Sequence, residues 1–309
     1  MYISVVIPVY RSQKTLEKLY DKLVVVLSEV CDNFEIIFVE DNGGDNSWKI
    51  INEIASKDSR VSGIKFSKNF GQHAATLCGI SKSSGKWVIT IDDDLEQDPE
   101  DIKLLIKESD SYDLIYGILE ERTHSFWRNF TSEMARKVFK LAIPNLNYNY
   151  TSFRMIDGEL ARSLAKFESP YPFVDGYLSW LTNNYTTVKL KHGFRVDGKS
   201  NYSIIKLIKH TINIFTTFSI IPLRISIWIG LLTSILGITG LIYVIISRLF
   251  SWVTLSGYAS IMATILFFGG VQMFTLGVIG EYLGRINYKT SGKPLFLIGD
   301  STGDSHSGK

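Results

Sequence analysis

The chain has 309 residues, a formal net charge of +2 and two cysteines, Cys31 and Cys78. Its length exceeds that of one typical domain, and two cysteines do not make the disulfide framework of a small secreted protein, so we expect both to be packing residues. The net charge says little about partners, and we expect no nucleic acid among the ligands.

Strand and helix patterns alternate through the first part of the chain. Continuous apolar strands separated by amphipathic helices predict a mostly parallel sheet that is covered on both faces. We predict strands at residues 3–9, 35–39, 61–66, 87–92 and 113–116, and helices at residues 15–30, 47–57, 73–82 and 99–108.

Polar segments follow four of the predicted strands. In open parallel sheets, ligands bind outside the carboxyl ends of the strands. We therefore expect one crevice to be surrounded by residues 8–11, 40–45, 69–72 and 92–94.

An apolar strand runs directly into carboxylates at the fourth of these segments. Side chains alternate along an extended chain, so Asp92 and Asp94 point the same way. Two such oxygen ligands suit Mg²⁺ or Mn²⁺ bound together with a substrate diphosphate. The alternative is an acidic turn that caps the next helix, which has a typical helix start at Asp98-Pro99.

Two long stretches without charge follow, at residues 225–247 and 249–280. Each exceeds the ~20 apolar residues that a membrane span needs, and we predict transmembrane helices at 225–248 and 257–283 that form a hairpin. Basic residues flank the pair, which predicts a multi-pass protein of the inner (plasma) membrane with both termini and the large N-terminal domain in the cytoplasm. Residues 203–224 are predicted to form an amphipathic helix on the membrane surface.

Several motifs in order along the chain resemble those of family-2 glycosyltransferases. They are Val6-Ile7-Pro8-Val9-Tyr10, Val39-Glu40-Asp41, Asn69-Phe70-Gly71-Gln72, Asp92-Asp93-Asp94 and Ser152-Phe153-Arg154-Met155-Ile156-Asp157. More narrowly, the chain resembles the polyprenyl-phosphate glycosyltransferases, which include dolichyl-phosphate mannose synthase and the undecaprenyl-phosphate sugar transferases. That similarity rests on Arg195-Val196-Asp197-Gly198-Lys199-Ser200, on Pro222-Leu223-Arg224 and on Gly280-Glu281-Tyr282-Leu283-Gly284-Arg285.

The resemblance implies an α/β fold: a GT-A-type, mostly parallel sheet domain at 1–202, followed by the two-helix transmembrane hairpin and a cytoplasmic tail at 284–309. It also implies roles for single residues. The donor nucleotide sugar would contact Pro8, Tyr10, Asp41, Asn69, Asp92, Arg195 and Ser200. The metal, Mg²⁺ or Mn²⁺, would be held by Asp92, Asp94 and Glu96. Asp157 and Asp94 would act at the reacting centre, and the acceptor phosphate would meet Arg128 and Arg122.

The function implied by the resemblance is inverting, metal-dependent transfer of a sugar from a nucleoside-diphosphate sugar, such as a UDP-sugar, to polyprenyl (undecaprenyl) phosphate. The product would serve cell-envelope polysaccharide synthesis or lipopolysaccharide modification. The partners are then the nucleotide-sugar donor, the polyprenyl phosphate acceptor, the lipid bilayer and further copies of the chain in a homo-oligomer. The alternatives are a processive polysaccharide synthase of the same superfamily and a non-catalytic membrane adaptor.

Overall fold

The computed structural model describes residues 1–119, 143, 146–147, 149–167, 169, 171–190, 213, 215–250 and 257–302. The strands in this part of the chain form one sheet of eight, in the order β7-β5-β6-β4-β1-β2-β3-β8. Their bounds are β1 (Tyr2–Val9), β2 (Asn33–Glu40), β3 (Val61–Phe66), β4 (Trp87–Thr90), β5 (Leu114–Leu119), β6 (Arg154–Asp157), β7 (Tyr185–Leu190) and β8 (Ile298–Ser301).

Helices connect most of these strands, and a long helical pair follows them. The helices are α1 (Leu16–Val30), α2 (Ser47–Lys57), α3 (Gln72–Lys82), α4 (Ile102–Ile106), α5 (Gly158–Ser163), α6 (Val174–Leu181), α7 (Ile221–Leu249) and α8 (Tyr258–Thr290). A short 3₁₀ turn, Pro99–Asp101, precedes α4.

The sheet is mixed but mostly parallel, as predicted. β1 pairs in parallel with β2 and β4, β2 with β3, and β5 with β7. β6 is antiparallel to both β4 and β5, and β8 is antiparallel to β3. The carboxyl ends of β1, β2, β3 and β4 therefore meet at one edge of the sheet, as the α/β pattern required.

Both faces of the sheet are buried, which explains why its central strands are continuously apolar. Along β1, Ile3, Val5 and Ile7 pack in the cluster that includes α1 and α2. Val6 faces the opposite cluster, which is formed with α3, α5 and α6. Each of these four side chains is fully buried. Because successive side chains of a strand point to opposite faces, the single apolar run of β1 packs into two cores, one on each face of the sheet.

Strands β6, β7 and β8 were not predicted, and β8 corrects a prediction. Residues 284–309 were expected to be a tail, yet Ile298–Ser301 forms an edge strand on β3. The Gly63 amide donates to the Thr302 hydroxyl at 2.7 Å, which extends the attachment. The strand carries Gly299, Asp300 and Ser301, so its backbone pairing, rather than an apolar pattern, places it in the sheet.

Helices α7 and α8 coincide with the predicted hairpin and extend beyond its expected bounds. Within the described residues, one helical segment, Ile221–Ser247, is long and apolar enough to cross a membrane by length and composition. The second span, at 257–283, stays a prediction. Of the predicted surface helix at 203–224, residues 203–212 and 214 lie outside the described part; residues 215–218 are helical, and α7 begins at Ile221.

The base of the hairpin packs on α6 of the sheet domain. Phe218 lies 4.8 Å from Trp180 between ring centroids, and a Cβ on Gly176 would come within 2.5 Å of the Phe218 ring. The Tyr282 hydroxyl of α8 donates to the Ser219 carbonyl at 2.6 Å. The lack of a side chain at Gly176 therefore allows the hairpin base to approach α6 closely.

We predict that Gly79→Ala destabilises the sheet domain. Gly79 lies in α3, and a Cβ there would come within 2.3 Å of the Val6 side chain in β1. Overpacking of this kind costs ~1–3 kcal/mol, which outweighs the gain in helix propensity of ~1 kcal/mol wherever the strand cannot shift. Thermal and denaturant unfolding measure the loss. Ser81→Ala, at an exposed site in the same helix, is the control; a Gly79→Ala protein as stable as this control would contradict the prediction.

Candidate active site

A cavity of about 350 Å³ opens at the carboxyl ends of the central strands. Its walls come from the ends of β1, β2 and β4 and from the start of α3. Of the residues predicted to act in the site, it is lined by Pro8, Tyr10, Asp41, Asn69, Asp92 and Asp94. The structure thus brings together residues that are as much as 86 positions apart in the sequence (94 minus 8).

Asp92 is the most strongly held carboxylate of the cavity. Its Oδ1 accepts from Gln72 Nε2 at 2.7 Å. Its Oδ2 accepts from Gln97 Nε2 at 3.0 Å and from the Ser152 hydroxyl. Burial raises the pKa of Asp92, and the negative charge of Asp94 raises it further, whereas the Ser152 hydrogen bond opposes the shift. Bound cationic charge would relieve both of the effects that raise the pKa.

Asp93 points away from Asp92 and fixes the end of β1. Its Oδ2 accepts from the Tyr10 amide at 2.9 Å and from the Ser12 hydroxyl. The Thr15 hydroxyl donates to the Asp93 carbonyl at 2.6 Å. Burial raises the pKa of Asp93 to about 6 against the pull of these donors. The middle carboxylate of the triplet therefore positions the loop that carries Tyr10.

Asp94 is exposed to the cavity, and its Oδ1 accepts from the Glu96 amide at 2.9 Å. Across the described residues, no cluster of three or more Asp, Glu, His or Cys side chains is arranged to hold a metal ion. A complete protein cage of Asp92, Asp94 and Glu96 is therefore not formed. Asp92 and Asp94 remain a fitting pair, because Mg²⁺ usually takes one or two carboxylates and completes its shell with substrate phosphates and water.

Asp41 holds the loop between β3 and α3. Its carboxylate accepts from the Phe70 amide at 2.6 Å and from the Gly71 amide at 2.8 Å, and the Asn69 side chain donates to its carbonyl at 3.2 Å. Burial raises the pKa of Asp41, and the two amide donors oppose that shift. Gly71 has a φ of 91°, a left-handed value that suits glycine. Asp41 therefore fixes the wall of the cavity as well as lining it.

Within the part of the chain that the structure describes, three residues other than glycine adopt left-handed backbone conformations, and all three follow strands at this edge. Arg11, Asn42 and Leu95 have φ values of 60°, 50° and 63° after β1, β2 and β4, respectively. Such conformations cost roughly 1–3 kcal/mol each for most residues and concentrate at functional sites. The strain thus lies where the chain turns sharply around the cavity.

Asp157 does not line this cavity, and its predicted role at the reacting centre stays a prediction. β6 runs antiparallel to β4, so Asp157 pairs with Trp87 at the start of β4 and Arg154 pairs with Thr90 at its end. Five residues separate Trp87 from Asp92, or roughly 16 Å of strand. Asp157 instead caps α5, where it accepts from the Glu159 amide at 2.9 Å. The motif that contains Asp157 does not reveal the direction of its strand. Because β6 is antiparallel to β4, Asp157 lies at the end of the sheet opposite to the expected one.

Four other predicted site residues, Arg122, Arg128, Arg195 and Ser200, lie outside the described residues. Glu96 is half-buried beside the cavity, and its metal-binding role stays a prediction. Conversely, the sequence reasoning assigned no role to Gln72, Gln97 or Ser152, the three side chains that hold Asp92. Gln72 and Ser152 belong to motifs on which the resemblance rests. The sequence therefore marked both positions but did not indicate what either side chain does.

The chain was compared with known protein families and with curated relatives. The model of "Glycosyl transferase family 2" matches residues 4–163, and that of the "GtrB C-terminal hairpin" matches residues 221–286. A bactoprenol glucosyl transferase of Shigella phage SfX is 32% identical over 303 residues, 96% of this chain and 99% of its own. An undecaprenyl-phosphate 4-deoxy-4-formamido-L-arabinose transferase of Edwardsiella ictaluri is 28% identical over 96% of this chain and 93% of its own.

A solved structure supports the fold. Glucosyl-3-phosphoglycerate synthase from Mycobacterium tuberculosis, in complex with Mn²⁺, uridine diphosphate and glucosyl-3-phosphoglycerate, superposes with a TM-score of 0.50. The match covers 70% of this chain and 77% of that one, at 18% sequence identity. The sheet domain therefore has the GT-A fold.

We predict that Asp41→Asn loosens the cavity wall. An amide in place of the carboxylate can accept only one of the two amide bonds and turns its own donor toward the other, which costs ~1–3 kcal/mol for a buried pair. Hydrogen–deuterium exchange should become faster at Phe70 and Gly71, with a lower unfolding temperature. Asp32→Asn, whose side chain is 99% exposed, is the matched control. Unchanged exchange at these two amides would refute the role given to Asp41.

Proposed function

This chain belongs to glycosyl transferase family 2, and from that premise we propose that it transfers one sugar from a nucleoside-diphosphate donor to a polyprenyl phosphate. The observation that carries the proposal is the pair Asp92 and Asp94 at the carboxyl end of β4, where they line a cavity in the same chain as an apolar helical hairpin. Relatives over nearly the whole chain are named for transfer to bactoprenol and to undecaprenyl phosphate.

The donor diphosphate is proposed to bind at the carboxylate edge, which is the side of the cavity formed by Asp92 and Asp94, together with Mn²⁺ or Mg²⁺. The solved relative was crystallised with Mn²⁺ and uridine diphosphate. A divalent ion supplies charge stabilisation for the departing nucleoside diphosphate. The protein's own contribution is to hold Asp92 by three side-chain donors while Asp94 stays open to the cavity.

The nucleoside is proposed to lie between Tyr10 and Asp41. The Tyr10 side chain is 47% exposed at the cavity although its backbone is fixed by Asp93. An exposed aromatic ring on a fixed backbone suits stacking on a base. Asp41 and Asn69 present polar groups on the opposite side of β1 from Asp94, so the diphosphate is directed from the base toward the carboxylates.

The acceptor needs no strong general base in this site. A lipid phosphate has a second pKa near ~6, as other phosphomonoesters do, so it is already anionic at neutral pH. Its nucleophilic oxygen must be positioned more than deprotonated. This chemistry agrees with the location of Asp157 in a helix cap, away from the cavity. Arg122 and Arg128 are proposed to position the acceptor phosphate because a guanidinium matches phosphate oxygens.

A second cavity suits the approach of the lipid. It has a volume of about 450 Å³ and lies where the hairpin base meets the sheet domain, between aromatic walls that include Trp180 and Phe218. Lys166, Arg285 and Lys289 also line it. Arg285 is held by Glu281 at 2.7 Å and by the Thr217 hydroxyl at 2.6 Å. An apolar chain and an anionic head group both find complementary surroundings there.

The enzyme is proposed to act at the cytoplasmic face of the membrane. Most of the 221–247 segment is exposed in the monomer, and an apolar surface on that scale is typical of a segment in contact with lipid. Arg224 precedes the main apolar run of α7, Arg285 and Lys289 lie in the last turns of α8, and Lys293 follows α8. If both helices cross, this basic bias places the sheet domain and both termini on the cytoplasmic side, where it meets nucleotide sugars.

The two alternatives predict different features. A non-catalytic adaptor would have no need to keep Asp92 under three hydrogen bonds beside an open Asp94. A processive synthase would add many sugars, whereas two of the relatives that span this chain are named for a bactoprenol glucosyl transferase and an undecaprenyl-phosphate sugar transferase. Single-sugar transfer therefore has the better support.

We predict that Asp94→Asn abolishes transfer while the protein still folds. Loss of a metal-binding carboxylate removes several kcal/mol of transition-state stabilisation, or at least about 100-fold in rate. EDTA should inactivate the wild type, and Mn²⁺ or Mg²⁺ should restore it. Asp110→Asn, at an exposed site outside the cavity, should keep full activity. Full activity of the wild type in EDTA would contradict metal-dependent transfer.

We predict that the double variant Lys166→Gln, Lys289→Gln raises the KM for polyprenyl phosphate about thirtyfold, since a lysine beside an anionic group contributes ~1 kcal/mol and the two together ~2 kcal/mol. The KM for the nucleotide sugar should not change. Lys293→Gln, which is exposed and does not line the cavity, is the matched control. An equal rise in both KM values would mean that this cavity does not bind the polyprenyl phosphate.

A further inference from the structure

A buried ion pair lies behind the carboxylate edge and has no role in the proposed chemistry so far. Arg154 of β6 and Asp175 of α6 are 2% and 3% exposed. The Arg154 guanidinium donates from Nη1 to Asp175 Oδ1, and the Tyr116 hydroxyl donates to the same oxygen at 3.2 Å. Neither member of the pair lines the cavity that contains Asp92 and Asp94.

Hydrogen bonds connect this pair to Asp92 by way of Ser152, whose backbone and side chain are both used. Arg154 Nε donates to the Thr90 hydroxyl at 3.1 Å. That hydroxyl donates to the Ser152 carbonyl, and the Ser152 side chain donates to Asp92 Oδ2. The path thus runs from α6 through the last residue of β4 to the carboxylate that we assign to the metal.

The energetics of buried ion pairs argue that stability is not the reason for this pair. Removing two charges from water costs about as much as their attraction returns, and apolar replacements of similar volume are often neutral or stabilising. A planar guanidinium with several fixed donors, however, sets the orientation of what it bonds. Here its second partner is the Thr90 hydroxyl, so the pair orients the end of β4.

We propose that Arg154 and Asp175 are positioning residues that fix the direction of the Asp92 carboxylate, through Thr90 and Ser152, for binding of the metal–diphosphate. The inference rests on the proposed metal-dependent transfer. Ser152 is one of the three donors that orient the Asp92 carboxylate, and Thr90 and Arg154 fix the 152–154 segment that carries it. Loss of the pair therefore weakens metal binding before it weakens the fold.

The test uses three variants of the full chain: Ser152→Ala, Thr90→Val and the double replacement Arg154→Met, Asp175→Leu. Calorimetric titration of Mn²⁺ in the presence of uridine diphosphate gives affinity without turnover, and thermal unfolding gives stability. Each variant should bind Mn²⁺ at least about tenfold more weakly, which corresponds to ~1.4 kcal/mol. The double variant should unfold within a few degrees of the wild type.

Ser179→Ala is the matched control, because Ser179 is a buried hydroxyl in the same helix that bonds only to the Gly176 carbonyl, at 2.7 Å. It should bind Mn²⁺ as the wild type does. Wild-type Mn²⁺ affinity in a folded double variant would overturn the inference; if the double variant does not fold, wild-type affinity in both Ser152→Ala and Thr90→Val would do so. A wild type without Mn²⁺ binding would instead overturn the proposed function itself.

Discussion

The placement of three consecutive carboxylates at the end of one buried strand is the constraint on which the rest of this structure depends. Asp92, Asp93 and Asp94 repel each other, and burial penalises the charges of the first two. Hydrogen-bond donors from segments far apart in sequence offset this repulsion and the burial of charge. Asp93 takes donors from the end of β1, and Asp92 takes them from α3 and from Ser152 before β6. The hydrogen bonds to Asp92 and Asp93 thereby hold β1, α3 and the segment before β6 against the end of β4.

The two outer carboxylates differ in how firmly their directions are fixed. Asp92 is fixed in direction by three side chains, whereas Asp94 stays exposed. A fixed ligand sets where a cation binds, and an open one can adapt as the substrate arrives. The left-handed residue Leu95 turns the chain away directly after Asp94, so the backbone leaves room for the ligand. The strain at this turn is compatible with a site for substrate rather than with a structural acidic turn.

The apolar hairpin of α7 and α8 is joined to the same edge through α6. Gly176 and Trp180 receive Phe218 from the base of the hairpin, and the neighbouring Asp175 bonds to Arg154 behind Asp92. In the proposed reaction, donor and lipid acceptor come from different phases and must meet at one reacting centre. A short helix that contacts both parts is a direct physical means of holding them in register.

The sequence contained most of this organisation but not its strand directions. The apolar runs of β1 to β5 and the hairpin follow from periodicity and composition, because buried central strands and long apolar helices leave strong patterns. Pro8, Tyr10, Asp41 and Asp92 could be grouped because parallel strands bring their carboxyl ends together. β8 could not, since its backbone pairing with β3 leaves little pattern in its side chains. Asp157 lies at the opposite end of β4 from the cavity because β6 enters the sheet antiparallel, and only the paired register reveals that reversal.

The central claim is transfer of a single sugar to a polyprenyl phosphate, and the most direct measurement is mass spectrometry of the lipid product. Purified protein in bilayer discs would be incubated with undecaprenyl phosphate, Mn²⁺ and each of a panel of nucleotide sugars. The account predicts a lipid heavier by one sugar residue with at least one donor, and none with the Asp94→Asn protein. Lipid left unchanged by every donor, or sugar polymerised without attachment to the lipid, would contradict it.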